Sequence, residues 1–231
     1  MNTPLTSASV AGMIDHALLS PTLTAAEFDR GIATALRLRT ASVCIMPWYV
    51  ARCARALAGS GVKTCTVIGF PHGGHASAAK LREAEIALDD GAEELDMVIN
   101  IVAARSGMWD VVVGEIRDIV ALGHARGAKV KVILETCFLS PEQIGRVCEL
   151  GAEAGADWMK TSTGFGTYGA RDEDLAAMRR HTPASIPLKA SGGIRTFARV
   201  RELLGLGLGI TRLGCSASEA IVAEARAELG E

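Results

Sequence analysis

Two lysines that close short apolar segments are the side chains in this sequence best suited to covalent chemistry. Lys160 ends DWMK and precedes TSTGFG, and Lys189 ends IPLK and precedes ASGGIR. Burying a charge is costly, so a lysine at such a position requires a reason. Like charge and desolvation both disfavour protonation, and we therefore expect each lysine to lower the pKa of the other. An uncharged lysine amine attacks carbonyl groups and forms imines.

Carboxylates near the ends of other apolar segments are the natural partners of these lysines. Asp96 lies in LDMVIN with apolar neighbours on both sides. Facing the lysines, it would relay protons through water or form a purely structural ion pair with Lys189. Glu135 and Asp15 occupy similar positions and are interpreted as supporting hydrogen-bonding groups. The alternative for the lysines is that one points outward between helices, or that both simply pair with carboxylates.

Two glycine-containing loops later in the chain have the composition of phosphate-binding loops. Ser191-Gly192-Gly193 precedes a predicted helix that starts near Thr196, and Gly214-Cys215-Ser216 precedes the last predicted helix. Backbone N–H groups and a helix N-terminus bind phosphate in such loops, although an ordinary glycine turn is the alternative. The predicted phosphate and substrate contacts are Gly192, Gly193, Gly214 and Ser216, with Thr163 and Gly164 after Lys160.

Metal coordination and thiol catalysis are not expected. His72 and His75 in PHGGH have a metal-like spacing, but no cysteine or carboxylate ligand accompanies them. Cys44 has no histidine placed to form a thiolate pair. The six cysteines are widely spaced and form no CxxC pair, which predicts buried free thiols. We expect neither a metal nor another cofactor.

Composition restricts the class of protein. The chain has 231 residues, of which 49% are hydrophobic, and 24 basic residues against 26 acidic ones give a net charge of -2. This balance argues against nucleic-acid and membrane-surface binding, and charges interrupt each apolar run before membrane-spanning length. The first residues lack a basic segment followed by an apolar one, which argues against secretion. We predict one cytoplasmic domain over residues 1–231.

Eight apolar segments alternate with helical patterns along the chain. Helix starts are indicated by capping boxes at Ser140 with Gln143 and at Thr24 with Glu27. A glycine typical of helix ends precedes several of the apolar segments. Strand-helix units of about 30 residues are typical of a parallel sheet with helical crossovers. The predicted strands are MIDHALL, ASVCIM, KTCTVIGF, ELDMVIN, KVKVILE, DWMKTS, IPLKAS and TRLGC.

This repetition predicts an α/β fold, a (β/α)8 TIM barrel with its site at the C-terminal ends of the strands. An open doubly wound sheet is the alternative, but it favours fewer strands and a GxGxxG turn that the chain lacks. In the barrel, Lys160 and Lys189 lie on neighbouring strands less than about 5 Å apart. Both glycine loops then follow strands 7 and 8, where such barrels often bind phosphate.

The motifs together resemble those of the deoxyribose-phosphate aldolase family. IDHALL, VCIMP, TVIGFP, LDMVIN, VILETC, KTSTGF, KASGGIRT and TRLGCS occur in the family's order over nearly the whole chain. The resemblance implies that Lys160 forms the Schiff base and that Lys189 and Asp96 relay protons. It implies reversible cleavage of 2-deoxy-D-ribose 5-phosphate to D-glyceraldehyde 3-phosphate and acetaldehyde, in deoxynucleoside breakdown. Barrels of this type commonly form homo-oligomers, either dimers or tetramers.

Four departures from the family's usual motifs leave other functions open. Ala17, Met46, His72 and Ala217 stand where different residues are usual. Ala17, Met46 and Ala217 motivate an alternative, a related Schiff-base aldolase with a different donor or an unphosphorylated aldehyde acceptor. A non-catalytic sugar-phosphate-binding barrel is a third hypothesis, although such a protein would not require both lysines and the aspartate.

Overall fold

Eight parallel strands close into a barrel in the computed structural model, which describes residues 5–231. The strands pair in chain order, and β8 closes the barrel against β1. The predicted (β/α)8 barrel is confirmed, and the open-sheet alternative is wrong. The strands are β1 Ile14–Leu18, β2 Ser42–Ile45, β3 Lys63–Ile68, β4 Glu94–Val98, β5 Lys129–Ile133, β6 Trp158–Lys160, β7 Leu188–Ser191 and β8 Ile210–Cys215.

Helices connect the strands and surround the barrel. Short 3₁₀ turns at Pro47–Tyr49 and Thr136–Phe138 follow β2 and β5. The helices are α1 Ser7–Ala11, α2 Ala25–Leu38, α3 Val50–Leu57, α4 Ser77–Asp89, α5 Ile101–Arg105, α6 Trp109–Ala125, α7 Pro141–Glu153, α8 Asp172–His181, α9 Phe197–Gly205 and α10 Ser218–Leu229.

Local sequence signals account for where these elements begin and end. The Gln143 backbone N–H donates to the Ser140 hydroxyl (3.3 Å), and the Ser140 backbone N–H donates back to the Gln143 side chain (3.0 Å). The Thr24 backbone N–H donates to the Glu27 carboxylate (2.7 Å), so both predicted capping boxes are confirmed. Glycines with positive φ precede five strands, as expected for helix ends: Gly61, Gly91, Gly127, Gly155 and Gly209.

Alternate residues of each strand face the helices, and glycines on those helices allow close packing. A Cβ at Gly123 of α6 would lie 2.7 Å from Val130 of β5. At Gly151 of α7, a Cβ would lie 2.6 Å from Met159 of β6. Because strand side chains alternate, Lys131 and Lys160 beside these two residues point into the barrel. The packing of Val130 and Met159 against the helices therefore determines which strand side chains fill the barrel interior.

No helix within residues 5–231 is long and apolar enough to cross a membrane. All six cysteines are free, and all except the half-buried Cys137 are buried.

A wholly buried ion pair braces the barrel on the side of β4. Lys80 of α4 donates to Glu115 of α6 over 2.9 Å, and both side chains are fully buried. The Lys80 ammonium also donates to the Val98 carbonyl (2.8 Å), and Glu115 also accepts from the Asn100 backbone N–H. Burial lowers the pKa of Lys80 and raises that of Glu115, and their mutual attraction opposes both shifts. The pair thus holds two helices on the end of the strand that carries Asp96.

We expect Glu115→Ala to lower the free energy of unfolding by about 3–5 kcal/mol, because it leaves the Lys80 ammonium buried without a carboxylate. Urea unfolding followed by circular dichroism measures the change. Glu153→Ala is the matched control, since Glu153 pairs with Arg117 where both side chains are more than half exposed; its effect should stay within about 1 kcal/mol. Equal effects of the two substitutions would contradict a bracing role for the buried pair.

Candidate active site

The strand register brings Lys160 and Lys189 side by side, and Asp96 reaches both from across the barrel. The two lysines are Cα partners on β6 and β7. Asp96 Oδ2 accepts from Lys160 Nζ over 2.7 Å and from Lys189 Nζ over 2.6 Å. Asp96 and Lys189 are fully buried, whereas Lys160 is 3% exposed. Both lysines therefore point inward, and the alternative in which one points outward is wrong.

Two further cations, which the sequence analysis did not single out, extend this cluster. Lys131 of β5 donates to Asp96 Oδ1 over 2.8 Å and to Glu94 over 2.6 Å. Arg212 of β8 donates to Glu94 over 2.6 Å and also contacts Asp15. The signal that revealed Lys160, a charge within an apolar strand, is also present in KVKVILE and TRLGC. Applying that criterion to every strand would have found both residues.

Carboxylate contacts are distributed unequally among the four cations of this cluster. Lys131 contacts three carboxylates, while Lys189 and Arg212 contact two each. Lys160 contacts only Asp96. The cluster contains four cations and three carboxylates: Lys131, Lys160, Lys189 and Arg212 with Asp15, Glu94 and Asp96. Lys160 therefore has fewer carboxylate contacts than any other cation of the cluster.

The pKa of Lys189 is raised, whereas the sequence analysis expected it to be lowered. Burial alone would lower the pKa of Lys189, but Asp15 (2.5 Å) and Asp96 outweigh burial and raise it. The expected lowering by Lys160 is therefore wrong for this lysine, which stays an ammonium group. Burial alone would raise the pKa of Asp96, but Lys131, Lys160 and Lys189 hold it well below its ordinary value. Asp96 is thus a carboxylate at neutral pH.

A cavity of about 880 Å³ lies above the cluster, among loops that follow the C-terminal ends of the strands. Lys160 and Lys189 lie on its wall, whereas the buried Asp96 lies behind them. Helix α9 begins after Thr196, whose hydroxyl accepts from the Arg199 N–H, close to the predicted start. All six predicted binding residues line this cavity: Thr163, Gly164, Gly192, Gly193, Gly214 and Ser216.

Glu135 and Asp15 support the site, as interpreted from the sequence. The Glu135 carboxylate accepts from the backbone N–H and the hydroxyl of Thr163, and so holds the loop that follows Lys160. Asp15 accepts from the Ser42 hydroxyl (2.7 Å) as well as contacting Lys189. His16 lines the same cavity, and burial lowers its pKa to about 4, which leaves it uncharged at neutral pH.

Cys44, Cys65 and Asp96 form the one group within residues 5–231 whose spacing would suit a metal ion. Their ligand atoms lie within 4.8 Å of one another. However, the Cys65 thiol donates to Asp96 Oδ1 (3.3 Å), and both oxygens of that carboxylate already accept from ammonium groups. The Cys65 thiol and the Asp96 carboxylate thus already belong to one hydrogen-bond network. His72 and His75 are exposed in the loop after β3, away from this cluster.

Comparison with known proteins agrees with this geometry. The model of the DeoC/LacD family aldolases matches residues 9–204. The chain belongs to the DeoC/LacD aldolase family. A deoxyribose-phosphate aldolase of Rhodopirellula baltica is 51% identical over 221 residues, covering 96% of this chain and 91% of that protein. The corresponding enzyme of Bacillus subtilis is 44% identical, covering 96% of this chain and 99% of its own.

A solved structure of the family has the same fold as this aldolase. The tetrameric deoxyribose phosphate aldolase of Aeropyrum pernix superposes with a TM-score of 0.85 at 32% identity. The match covers 94% of this chain and 91% of the Aeropyrum chain.

Acid should destabilise the protein through Asp96. Because its folded pKa is lowered, ionised Asp96 stabilises the fold above the ordinary carboxyl pKa of about 4, and this contribution is lost as the pH falls. We expect the free energy of unfolding to fall between about pH 4 and pH 2, and to fall less steeply in Asp96→Asn. Urea unfolding across this pH range tests the difference. Surface Glu153→Gln should keep the wild-type slope; a wild-type slope in Asp96→Asn would refute the assignment.

Proposed function

We propose that this aldolase reversibly cleaves 2-deoxy-D-ribose 5-phosphate to D-glyceraldehyde 3-phosphate and acetaldehyde through a Schiff base on Lys160. The observation that carries the proposal is the Asp96 oxygen shared by Lys160 and Lys189 beside the cavity. Relatives at 51% and 44% identity that bear the name deoxyribose-phosphate aldolase support the same substrate.

Lys160 is proposed as the nucleophile because it lies on the cavity wall with a single carboxylate contact. Its uncharged amine attacks C1 of the sugar, and loss of water gives an iminium ion. The C3 hydroxyl loses its proton, the C2–C3 bond breaks, and the bonding electron pair moves to the iminium. D-Glyceraldehyde 3-phosphate leaves, and an enamine remains on Lys160. Protonation at C2 and hydrolysis then release acetaldehyde and restore the amine.

Lys189 and Asp96 are proposed to move the protons of these steps. Lys189 stays an ammonium group because Asp15 and Asp96 both hold it, which makes it a proton donor rather than a second nucleophile. Asp96 stays ionised and contacts both lysine nitrogens, so a proton has a short path between them. Contacts to Asp15 thus distinguish the donor lysine from the nucleophile.

The glycine loops after β7 and β8 are proposed to bind the phosphate group. Gly192 and Gly193 have φ of +83° and +79°, a backbone conformation that favours glycine, and they lie just before α9. The N-terminus of this helix and the loop N–H groups favour an anion. Gly214 and Ser216 lie across the same cavity, with Thr163 and Gly164 near Lys160.

The departures from the family's usual motifs lie in different surroundings. Ala17 and Ala217 both line the cavity, where each presents a methyl group. Met46 packs against the buried apolar side chains of the barrel interior, while His72 is exposed. The alternative with another donor or an unphosphorylated acceptor therefore rests on two cavity residues.

Four further properties remain predictions: a single domain over residues 1–231, a cytoplasmic location, a role in deoxynucleoside breakdown, and homo-oligomer formation.

Borohydride trapping tests the proposed nucleophile. With acetaldehyde present, reduction should add one ethyl group to each chain, and peptide mass spectrometry should locate it on Lys160, because only an imine is reduced to a stable amine under these conditions. Lys160→Ala should not be labelled. Lys63→Ala, which changes an exposed lysine at the start of β3, should be labelled like wild type. Labelling at Lys189, or labelling that persists in Lys160→Ala, would overturn the proposal.

A further inference from the structure

The hydroxyl of Ser191 is a buried polar group on the cavity wall whose partner is not accounted for by the fold. Ser191 is 4% exposed and lines the cavity, and its Oγ has no hydrogen-bond partner within residues 5–231. Its backbone, by contrast, is fully engaged: the N–H donates to the Thr161 hydroxyl (3.0 Å), which donates to the Ser191 carbonyl (3.2 Å). Buried hydroxyls are usually hydrogen-bonded. Because Ser191 lines the cavity, its unpaired hydroxyl indicates a ligand there.

The strand register places this hydroxyl between the reacting groups and the phosphate loop. Ser191 follows Lys189 by two residues and faces the same way, and Gly192 comes directly after it. Its partner on β8 is Gly214. A Cβ at Gly214 would overlap Ser191 Oγ and lie 3.3 Å from Lys189 Cε. The missing side chain at Gly214 therefore leaves space that the serine hydroxyl occupies.

We propose that the Ser191 hydroxyl binds the C4 hydroxyl of the phosphosugar, which is the 2-hydroxyl of D-glyceraldehyde 3-phosphate. The inference rests on the proposed function, in which C1 is held at Lys160 and the phosphate beside Gly192. Ser191 lies between these two anchors, opposite the middle of the substrate. The C3 hydroxyl must lose a proton and requires a titrating partner, whereas the C4 hydroxyl does not react and suits a neutral one. Ser191 is then a residue that determines acceptor specificity.

Ser162 provides a matched control on the neighbouring strand. It follows Lys160 by two residues, as Ser191 follows Lys189, and it is fully buried. Its Oγ also lacks a partner in the part of the chain that the structure describes. Unlike Ser191, it does not line the cavity. Ser162→Ala therefore removes an equivalent hydroxyl that the acceptor does not reach.

The test compares two acceptors in the synthetic direction, with acetaldehyde as donor. One is D-glyceraldehyde 3-phosphate, and the other is 3-oxopropyl phosphate, which lacks the 2-hydroxyl. We expect wild type to favour the hydroxylated acceptor in kcat/KM. Ser191→Ala should lower kcat/KM for D-glyceraldehyde 3-phosphate about 5- to 100-fold, the effect of losing one buried hydrogen bond. The same substitution should leave kcat/KM for 3-oxopropyl phosphate unchanged or slightly higher. This acceptor offers no hydroxyl to Ser191, so wild type buries the serine hydroxyl without a partner and the variant does not.

The ratio of the two kcat/KM values separates the outcomes. A ratio that falls in Ser191→Ala and stays at the wild-type value in Ser162→Ala supports the inference. A ratio that stays unchanged in Ser191→Ala, including the case of an equal loss with both acceptors, overturns the inference and leaves the aldolase function intact. Absence of turnover by wild type with both acceptors overturns the proposed function and the inference together. Thermal melting of each variant, expected near wild type, excludes misfolding as the cause of a changed ratio.

Discussion

One buried carboxylate, Asp96, is the interaction on which the site depends. It accepts from three ammonium groups, those of Lys131, Lys160 and Lys189, inside a barrel that buries all four side chains almost completely. Any one of these lysines would be costly to bury alone, and Asp96 would be costly without them. The same contacts that make the charges tolerable also bring the proposed nucleophile, Lys160, and the proposed proton donor, Lys189, to one oxygen atom.

The remaining charges differentiate the lysines. Lys131 is enclosed by three carboxylates away from the cavity wall, and Lys189 is held by two. Lys160 has one carboxylate partner and reaches the cavity. The number of carboxylates around each lysine thus differs in the way that our proposal requires of a structural cation, a proton donor and a nucleophile. Outside the barrel, the Lys80–Glu115 pair holds the end of β4, the strand that positions Asp96.

The sequence was sufficient for the fold and for the central residues, because periodicity, capping boxes and charges within apolar strands are local signals. Contacts across the barrel were not predictable in the same way. Asp15 reaches Lys189 although β8 lies between their strands, so the sign of the Lys189 pKa shift followed from three-dimensional register. Arg212 carries the same local signal as Lys160, but its partners Asp15 and Glu94 lie on β1 and β4, and only the closed barrel brings the three side chains together.

Acetaldehyde release from 2-deoxy-D-ribose 5-phosphate in excess EDTA, compared between wild type and Asp96→Asn, tests the central claim most directly. Coupling the reaction to NADH oxidation by alcohol dehydrogenase measures turnover. Since Asp96 joins the proposed nucleophile to the proposed proton donor, we expect turnover by wild type and a loss of about 10²- to 10⁴-fold in kcat for a folded Asp96→Asn. Wild-type turnover in Asp96→Asn would show that the shared carboxylate does not organise the chemistry.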